Sequence, residues 1–253
     1  MKPKITGNLT EVFSSVEGEG PEVGSRTIFF RFAGCDFGCA YCDTLASASP
    51  APPSFTVHAP LAGSVRLVPN PVSAEELTRI TAELDRVAGP HRRVSLTGGE
   101  PLGQSDFAAQ LARELRGRKF KVVLETRGTL APELLKVGPS LDLISMDFKI
   151  PSATGRPAVW REHKAFLDAA RGIAVVGKVV ADARLTDEEI DTVIGLVEGH
   201  GEAITVILQP VRRMVHSLDE AVVRRLLEAQ ARMLRHLNDV RLIPQVHGVL
   251  GLP

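Results

Sequence analysis

The plainest mark of the architecture is Arg93-Val94-Ser95-Leu96-Thr97-Gly98-Gly99-Glu100-Pro101. An apolar run with β-forming residues stops at a Gly-Gly pair. Phe107, Leu111 and Leu115 then recur at helical spacing, and a second strand-like run, Phe120 to Glu125, follows. Strand, helix and strand in about thirty residues make a βαβ unit, whose strands lie parallel and whose crossover is right-handed.

The same alternation continues outward. Downstream come a short helix near 131–136, a strand from Leu141 to Asp147, a helix around 158–170 and a strand from Ile173 to Val180. Thr186 and Glu189 form a capping box that opens a helix through Ile190, Val193 and Val197. The strand Ala203 to Leu208, a second box at Ser217 and Glu220, a helix to about residue 237 and a strand from Val240 to Gln245 complete the series. Upstream, Ser73 and Glu76 cap a helix through Leu77, Ile80, Leu84 and Val87, and Thr27 to Phe32 reads as the first strand. Residues 45–72, rich in Ala, Ser and Pro, show no clear period and are expected to form an irregular excursion. The expectation is a single domain over residues 1–253. Its class is α/β, a partial (open) TIM-like barrel of about six to seven parallel strands, short of the eight that close a full barrel.

Composition narrows the partners. Thirty basic residues balance thirty acidic ones over 253 residues. No net field draws the chain to nucleic acid or to an anionic membrane. The start, MKPKITGNLTEVF, lacks the apolar core of a secretory signal. The most apolar stretch, GIAVVGKVVAD at 172–182, is interrupted by Lys178 and too short to span a bilayer. A soluble, cytoplasmic protein is expected.

Polar residues gather at the predicted strand ends: Cys35, Thr97 to Glu100, Glu125-Thr126, Ser145 to Lys149, Gln209-Pro210 and His247. In barrel-like folds those ends form one rim, where chemistry sits. Turn residues collect at any strand end, which accounts for Gly and Pro better than for Glu, Lys, Gln and His. The three cysteines, Cys35, Cys39 and Cys42, all fall in Gly34-Cys35-Asp36-Phe37-Gly38-Cys39-Ala40-Tyr41-Cys42-Asp43-Thr44. An odd number crowded so tightly suits metal ligation better than a disulfide framework. Three thiolates on a cubane leave one iron open to an exogenous ligand. A zinc site completed by one of the seven histidines is the plainer alternative.

The spacing C-x3-C-x2-C, with Tyr41 before the last cysteine, resembles the signature of the radical S-adenosylmethionine (SAM) superfamily. The resemblance implies a [4Fe-4S] cluster on Cys35, Cys39 and Cys42 whose open iron chelates SAM, and one-electron cleavage of SAM to methionine and a 5′-deoxyadenosyl radical. Thr97-Gly98-Gly99-Glu100-Pro101 looks like the superfamily's GGE motif. SAM contacts implied by position are Tyr41, Cys42, Asp43, Gly99, Glu100, Ser145, Asp147, Lys149, Gln209, Pro210, Val211 and Arg212.

Phe13-Ser14-Ser15-Val16-Glu17-Gly18-Glu19-Gly20, Cys42-Asp43-Thr44 and Gln245-Val246-His247 together resemble the 7-carboxy-7-deazaguanine synthase family. That resemblance implies a Mg2+-assisted ring contraction of 6-carboxy-5,6,7,8-tetrahydropterin to 7-carboxy-7-deazaguanine, with loss of ammonia and with SAM regenerated as a cofactor, toward 7-deazapurines such as queuosine. It further implies a flavodoxin- or ferredoxin-type electron donor and a homodimer. Carried over by position, Thr44 ligates Mg2+, and Val16, Glu17, Gly18, Glu19, Arg31, Thr97, His247 and the carboxylate of Pro253 contact substrate. Glu17 departs from the family's usual Gln, and a carboxylate there repels an anionic substrate unless it is protonated, paired or turned to the pterin N–H groups. Two readings compete: another radical SAM enzyme, such as a glycyl-radical activase, and a non-catalytic Fe–S or zinc scaffold.

Overall fold

The structure, a computed structural model, describes residues 4–59, 63–211 and 219–252. Two residues, β1 (Thr6–Gly7), pair antiparallel with β6 (Val72–Ser73) as a small clip. The remaining strands form one ten-stranded sheet. They are β2 (Leu9–Val16), β3 (Arg26–Phe32), β4 (Ser54–Ala59), β5 (Ser64–Pro69), β7 (Arg93–Gly98), β8 (Lys121–Thr126), β9 (Leu143–Asp147), β10 (Val175–Ala181), β11 (Thr205–Pro210) and β12 (Val240–Leu242). The helices are α1 (Ala74–Ala88), α2 (Ser105–Gly117), α3 (Ala131–Val137), α4 (Pro151–Thr154), α5 (Trp160–Ala169), α6 (Asp187–His200), α7 (Glu220–Met233) and α8 (Val246–Val249).

From β3 through β7 to β12 every neighbouring pair is parallel, and from β7 onward each strand lies beside its predecessor in chain order. The order never reverses, so every crossover runs the same way round and the sheet curls on itself instead of opening to both sides. These seven strands are the expected partial barrel, with β12 left as an edge.

Alternation along each strand separates two environments. Val94, Leu96, Val122, Leu124, Ile144 and Met146 are wholly buried and join Leu77, Ile80, Leu111, Leu115, Ile190, Val193 and Leu226 of the helices in one core. Each such side chain contributes roughly 1.5–3 kcal/mol by leaving water. The intervening residues on the other face, such as Arg31, Thr97, Glu125, Ser145 and Asp147, line the barrel interior. Helix starts are as the sequence suggests at α1, where Ser73 Oγ accepts from the Glu76 N–H at 3.3 Å, and at α6, where the Thr186–Glu189 box forms in both directions.

Four expectations need correction or limits. Thr27 to Phe32 is not the first strand: β2 precedes it and pairs antiparallel with it. The register of β2 shifts between Leu9 and Glu11, and Phe13, Ser14 and Ser15 are buried in succession, so no alternation marks it in the sequence. The excursion at 45–72 is largely regular. β4 and β5 form an antiparallel hairpin that adds to β2, with Phe55, Val57 and Ala59 buried at every second position; its Pro-rich flanks obscure the period. The last strand, expected to run to Gln245, stops at Leu242, and the chain end makes the single turn α8. Ser217 lies outside the described residues, and the cap of α7 is Asp219, whose side chain accepts from the Ala221 N–H at 3.0 Å.

Candidate active site

The C-terminal ends of the parallel strands enclose a cavity of about 590 Å³. Of the expected substrate contacts, Val16, Glu17, Gly18, Glu19, Arg31, Thr97 and His247 all line it. So do Cys35, Cys39, Cys42 and Thr44, and, of the expected SAM contacts, Tyr41, Asp43, Gly99, Ser145, Asp147, Lys149 and Gln209. Glu100, Pro210 and Val211 are buried but do not line it. Arg212 and Pro253 lie outside the described residues.

The cysteine loop is anchored by backbone. Gly34 donates to the Ser47 carbonyl at 2.7 Å, Ala40 to Thr154 at 2.9 Å and Cys42 to Cys39 at 3.1 Å. The Gly98-Gly99 turn locks against this loop: Gly99 N–H donates to Phe32 O at 2.9 Å and Glu100 N–H to Gly34 O at 2.8 Å. A Cβ on Gly99 would sit 2.2 Å from the Gly34 carbonyl oxygen, and Gly98 has φ +115°. The Gly pair therefore lets two site-forming loops touch through their backbones. Glu100 has a matching role. Its carboxylate, 2% exposed, accepts from Thr126 Oγ1 at 2.9 Å, Arg127 N–H at 3.0 Å and Leu102 N–H at 3.1 Å. It ties β7 to β8 instead of facing the cavity. The three thiols are free and half-buried. Burial pushes the Cys39 thiol up, against the pull of Lys149.

Two half-buried lysines organise the charges. Lys149 Nζ donates to Asp147 Oδ2 at 2.6 Å and to Tyr41 Oη at 3.0 Å, and lies 5.2 Å from the Tyr41 ring centre. Lys178, on β10 beside Asp147 in register, donates to Glu19 Oε2 at 2.5 Å and stands 3.9 Å from Asp147 Oδ2. Burial alone would raise the Glu19 carboxyl, but the Lys178 ammonium and the Gln245 amide bring it down to about 2. Gln245 Nε2 donates to Glu19 at 2.5 Å and to Asp43 at 3.4 Å, linking the last segment of chain to the cysteine loop. Glu17 is the opposite case. Burial beside Glu125 and Glu19 pushes its carboxyl up to about 8. Arg31 donates to Glu11 at 3.2 Å and covers the Phe13 ring, which stacks on Phe29 at 4.9 Å. At the far end, Gly18 leaves room for His247: a Cβ there would sit 2.0 Å from His247 Nδ1.

These residues fit an iron–sulfur cluster with a polar ligand beside it. Among the described residues no three His, Cys, Asp or Glu side chains group as one metal ion requires. Three separate thiols facing one cavity suit a cluster, in which each iron takes its own thiolate. Asp147 Oδ1, Gln209 Oε1 and Gln245 Oε1 are buried acceptors without a hydrogen-bond partner. A donor-rich ligand in the cavity would satisfy them, where each costs about 1–3 kcal/mol unpaired.

Comparison with known proteins agrees. The model of the radical SAM superfamily matches residues 30–202. A 7-carboxy-7-deazaguanine synthase of Geobacter sulfurreducens is 39% identical over 251 residues, covering 98% of each chain. One from Methanopyrus kandleri is 34% identical, covering 96% of this chain and 93% of its own. The chain belongs to the 7-carboxy-7-deazaguanine synthase family of radical SAM enzymes. The crystal structure of QueE from Escherichia coli superposes with TM-score 0.62 at 22% identity, over 96% of this chain and 95% of that one, and shares the fold. The family's cofactors are a [4Fe-4S] cluster, SAM and Mg2+, and it acts on a small molecule. No described helix is long and apolar enough to cross a membrane.

For a member of this family, several cavity residues escape motif reading. Lys178 looks like a flaw in a valine run, and only the sheet register places it beside Asp147. Glu125 accepts from Thr97 Oγ1 at 2.9 Å and from Ser95 Oγ, and lines the cavity between Thr97 and Ser145. Its signal was present, a lone Glu ending an apolar strand. Arg127 packs 5.6 Å from the Phe37 ring centre and pairs with Asp36, bracing the cysteine loop from β8.

Proposed function

We infer that this chain is a 7-carboxy-7-deazaguanine synthase, converting 6-carboxy-5,6,7,8-tetrahydropterin to 7-carboxy-7-deazaguanine with release of ammonia. The observation that carries this is the meeting, in one cavity, of the cysteine loop with Val16 to Glu19, Arg31 and His247. Cys35, Cys39 and Cys42 hold the cluster. Tyr41, Asp43, Gly99, Ser145, Asp147, Lys149 and Gln209 surround SAM, with the Lys149 ammonium available to its carboxylate and the Asp147 oxygen to hydroxyl or amino groups. Cluster and SAM, when bound, supply the one-electron chemistry that removes a hydrogen atom from the substrate.

The protein's part is binding and exclusion of water. Arg31 presents a fork of donors to the substrate carboxylate, and Phe13 behind it lowers the local dielectric. His247 and Gln245 close the cavity from the chain end, and Glu19, held ionised by Lys178, accepts from ring N–H groups. Thr44 offers its hydroxyl to Mg2+, a hard ion that takes few protein oxygens and leaves positions for substrate; the hydroxyl lies 3.7 Å from Cys42 Sγ, at the edge of the cluster site. Pro253, if its carboxylate faces substrate as the family pattern implies, continues from Leu252, which lines the cavity. We further assign a flavodoxin- or ferredoxin-type electron donor, a homodimer, a cytoplasmic location and a single domain over the whole chain.

Anaerobically reconstituted protein, reductant, SAM, Mg2+ and carboxytetrahydropterin should yield the deazapurine acid and ammonia in equal amounts. Cleavage of SAM with the pterin left intact, under every reductant tried, would mean a different radical SAM reaction.

A further inference from the structure

Three carboxyl groups, Glu17, Glu19 and Glu125, line one small recess beneath the Val16–Gly20 segment, and they are not equivalent. Glu19 has a cation of its own, Lys178 at 2.5 Å, and two amide donors, Gln209 Nε2 at 3.3 Å and Gln245 Nε2 at 2.5 Å. Glu125 accepts from two hydroxyls, Ser95 Oγ and Thr97 Oγ1. Glu17, 8% exposed, accepts from the Glu19 backbone N–H at 3.1 Å. The cations near it are committed elsewhere. Arg93 on β7 pairs with Glu22 at 2.6 Å, and Lys178 on β10 is shared by Glu19 and Asp147. His247 of α8 packs against Gly18, the next residue in the chain.

Carboxyl groups confined together ionise one after another, and the one with least support keeps its proton. By that rule the odd member is Glu17. A neutral carboxylic acid differs from a carboxylate in kind: it offers a donor and an acceptor side by side, whereas the anion only accepts. The pterin ring presents the complement, a lactam edge with C=O and N–H adjacent.

We propose that Glu17 is a specificity-determining residue that binds the pterin as a neutral acid, donating its O–H to the ring carbonyl while its own C=O accepts from the adjacent ring N–H. The proposal rests on the assignment of the pterin as substrate. It also gives the carboxyl a reason to stand beside an anionic substrate, since a neutral group neither repels it nor leaves a ring acceptor unpaired. Loss of the proton removes the donor and adds a repulsive charge, so binding weakens with rising pH. With the Glu17 carboxyl at about 8, the pterin Kd rises about tenfold from pH 7 to pH 9.

The test is calorimetric titration of cluster- and SAM-loaded enzyme with the pterin, without reductant, at pH 7 and pH 9. Wild type should show the tenfold rise. Glu17→Gln, an amide with the same donor–acceptor pair and no proton to lose, should bind with a Kd that does not change between the two pH values. Glu17→Leu should bind weakly at both, with the cluster absorbance of each variant reporting an intact fold. In parallel, 13C NMR of enzyme labelled at Glu carboxyl carbons, assigned by the missing signal in Glu17→Gln, should show Glu17 protonated at pH 7. Failure of wild type to bind the pterin at pH 7 would overturn the substrate assignment and the inference together. Binding at pH 7 with no rise by pH 9, an equal rise in Glu17→Gln, or a Glu17 signal already ionised at pH 7 would overturn the inference alone.

Discussion

Cys35, Cys39 and Cys42 can be read from spacing because a cluster needs thiolates within one short loop, and local sequence records that directly. Lys178 cannot, because its partners come from β9 and from the segment after β2, far away in the chain. The same holds for Glu100, whose motif suggests a ligand contact while its carboxylate binds Thr126 and Arg127. Three outcomes follow at this scale. Cys39→Ala should retain little iron and lose deoxyadenosine formation, checked by iron and sulfide analysis and chromatography. Thr44→Val keeps the shape and removes the oxygen; it should lower turnover and flatten the Mg2+ dependence while leaving the cluster spectrum unchanged. Lys178→Met should destabilise by about 3–5 kcal/mol, because Glu19 loses the cation that holds it ionised, while Asp147 keeps Lys149. Adding Glu19→Gln should recover part of that loss in a thermal melt; an additive double variant would show that the pair is not coupled.

At the scale of elements, the strongly periodic helices and the valine-rich parallel strands are legible because one face or both faces of each are apolar. β2 and the β4–β5 hairpin are not. β2 buries two serines in the sheet, and Ser14 there binds His91 Nε2 at 2.8 Å, so its polarity hides its burial. On β5, Val65 and Leu67 are 64% and 71% exposed, which inverts the pattern of a core strand. The hairpin is nevertheless part of the core through β4. Phe55→Ala should cost about 3–5 kcal/mol in denaturant unfolding, whereas Val65→Thr should stay within about 0.5 kcal/mol. Equal effects from the two would make the hairpin a peripheral flap. The chain end belongs here as well: Leu252 N–H donates to His247 O at 3.0 Å and Leu252 lines the cavity. A C-terminal tag should therefore raise KM for the pterin, and an N-terminal tag should have a smaller effect.

For the whole molecule, a sheet wound in one direction delivers seven strand ends to one rim, and the chemistry collects there. Composition foretold little of this, since zero net charge conceals a cavity crowded with paired acids and lysines. That crowding has a global consequence. The Glu17 carboxyl is raised from near 4.5 to about 8, so between those values the folded chain holds a proton that the unfolded chain releases. Stability from this group is therefore lost as pH rises through that window and is level above it. In calorimetry the melting temperature of Glu17→Gln should gain on wild type across the same window; a constant difference between the two would mean that Glu17 ionises normally.

On the function proposed above, the cluster, SAM and the pterin share this one cavity for a ring contraction in which SAM is regenerated. The measurement closest to it is the ratio of 7-carboxy-7-deazaguanine formed to SAM consumed by the reconstituted wild-type enzyme over many turnovers. Product should form well in excess of SAM consumed, with equimolar ammonia. One SAM destroyed for each turnover, or deoxyadenosine accumulating while the pterin stays intact, would contradict it.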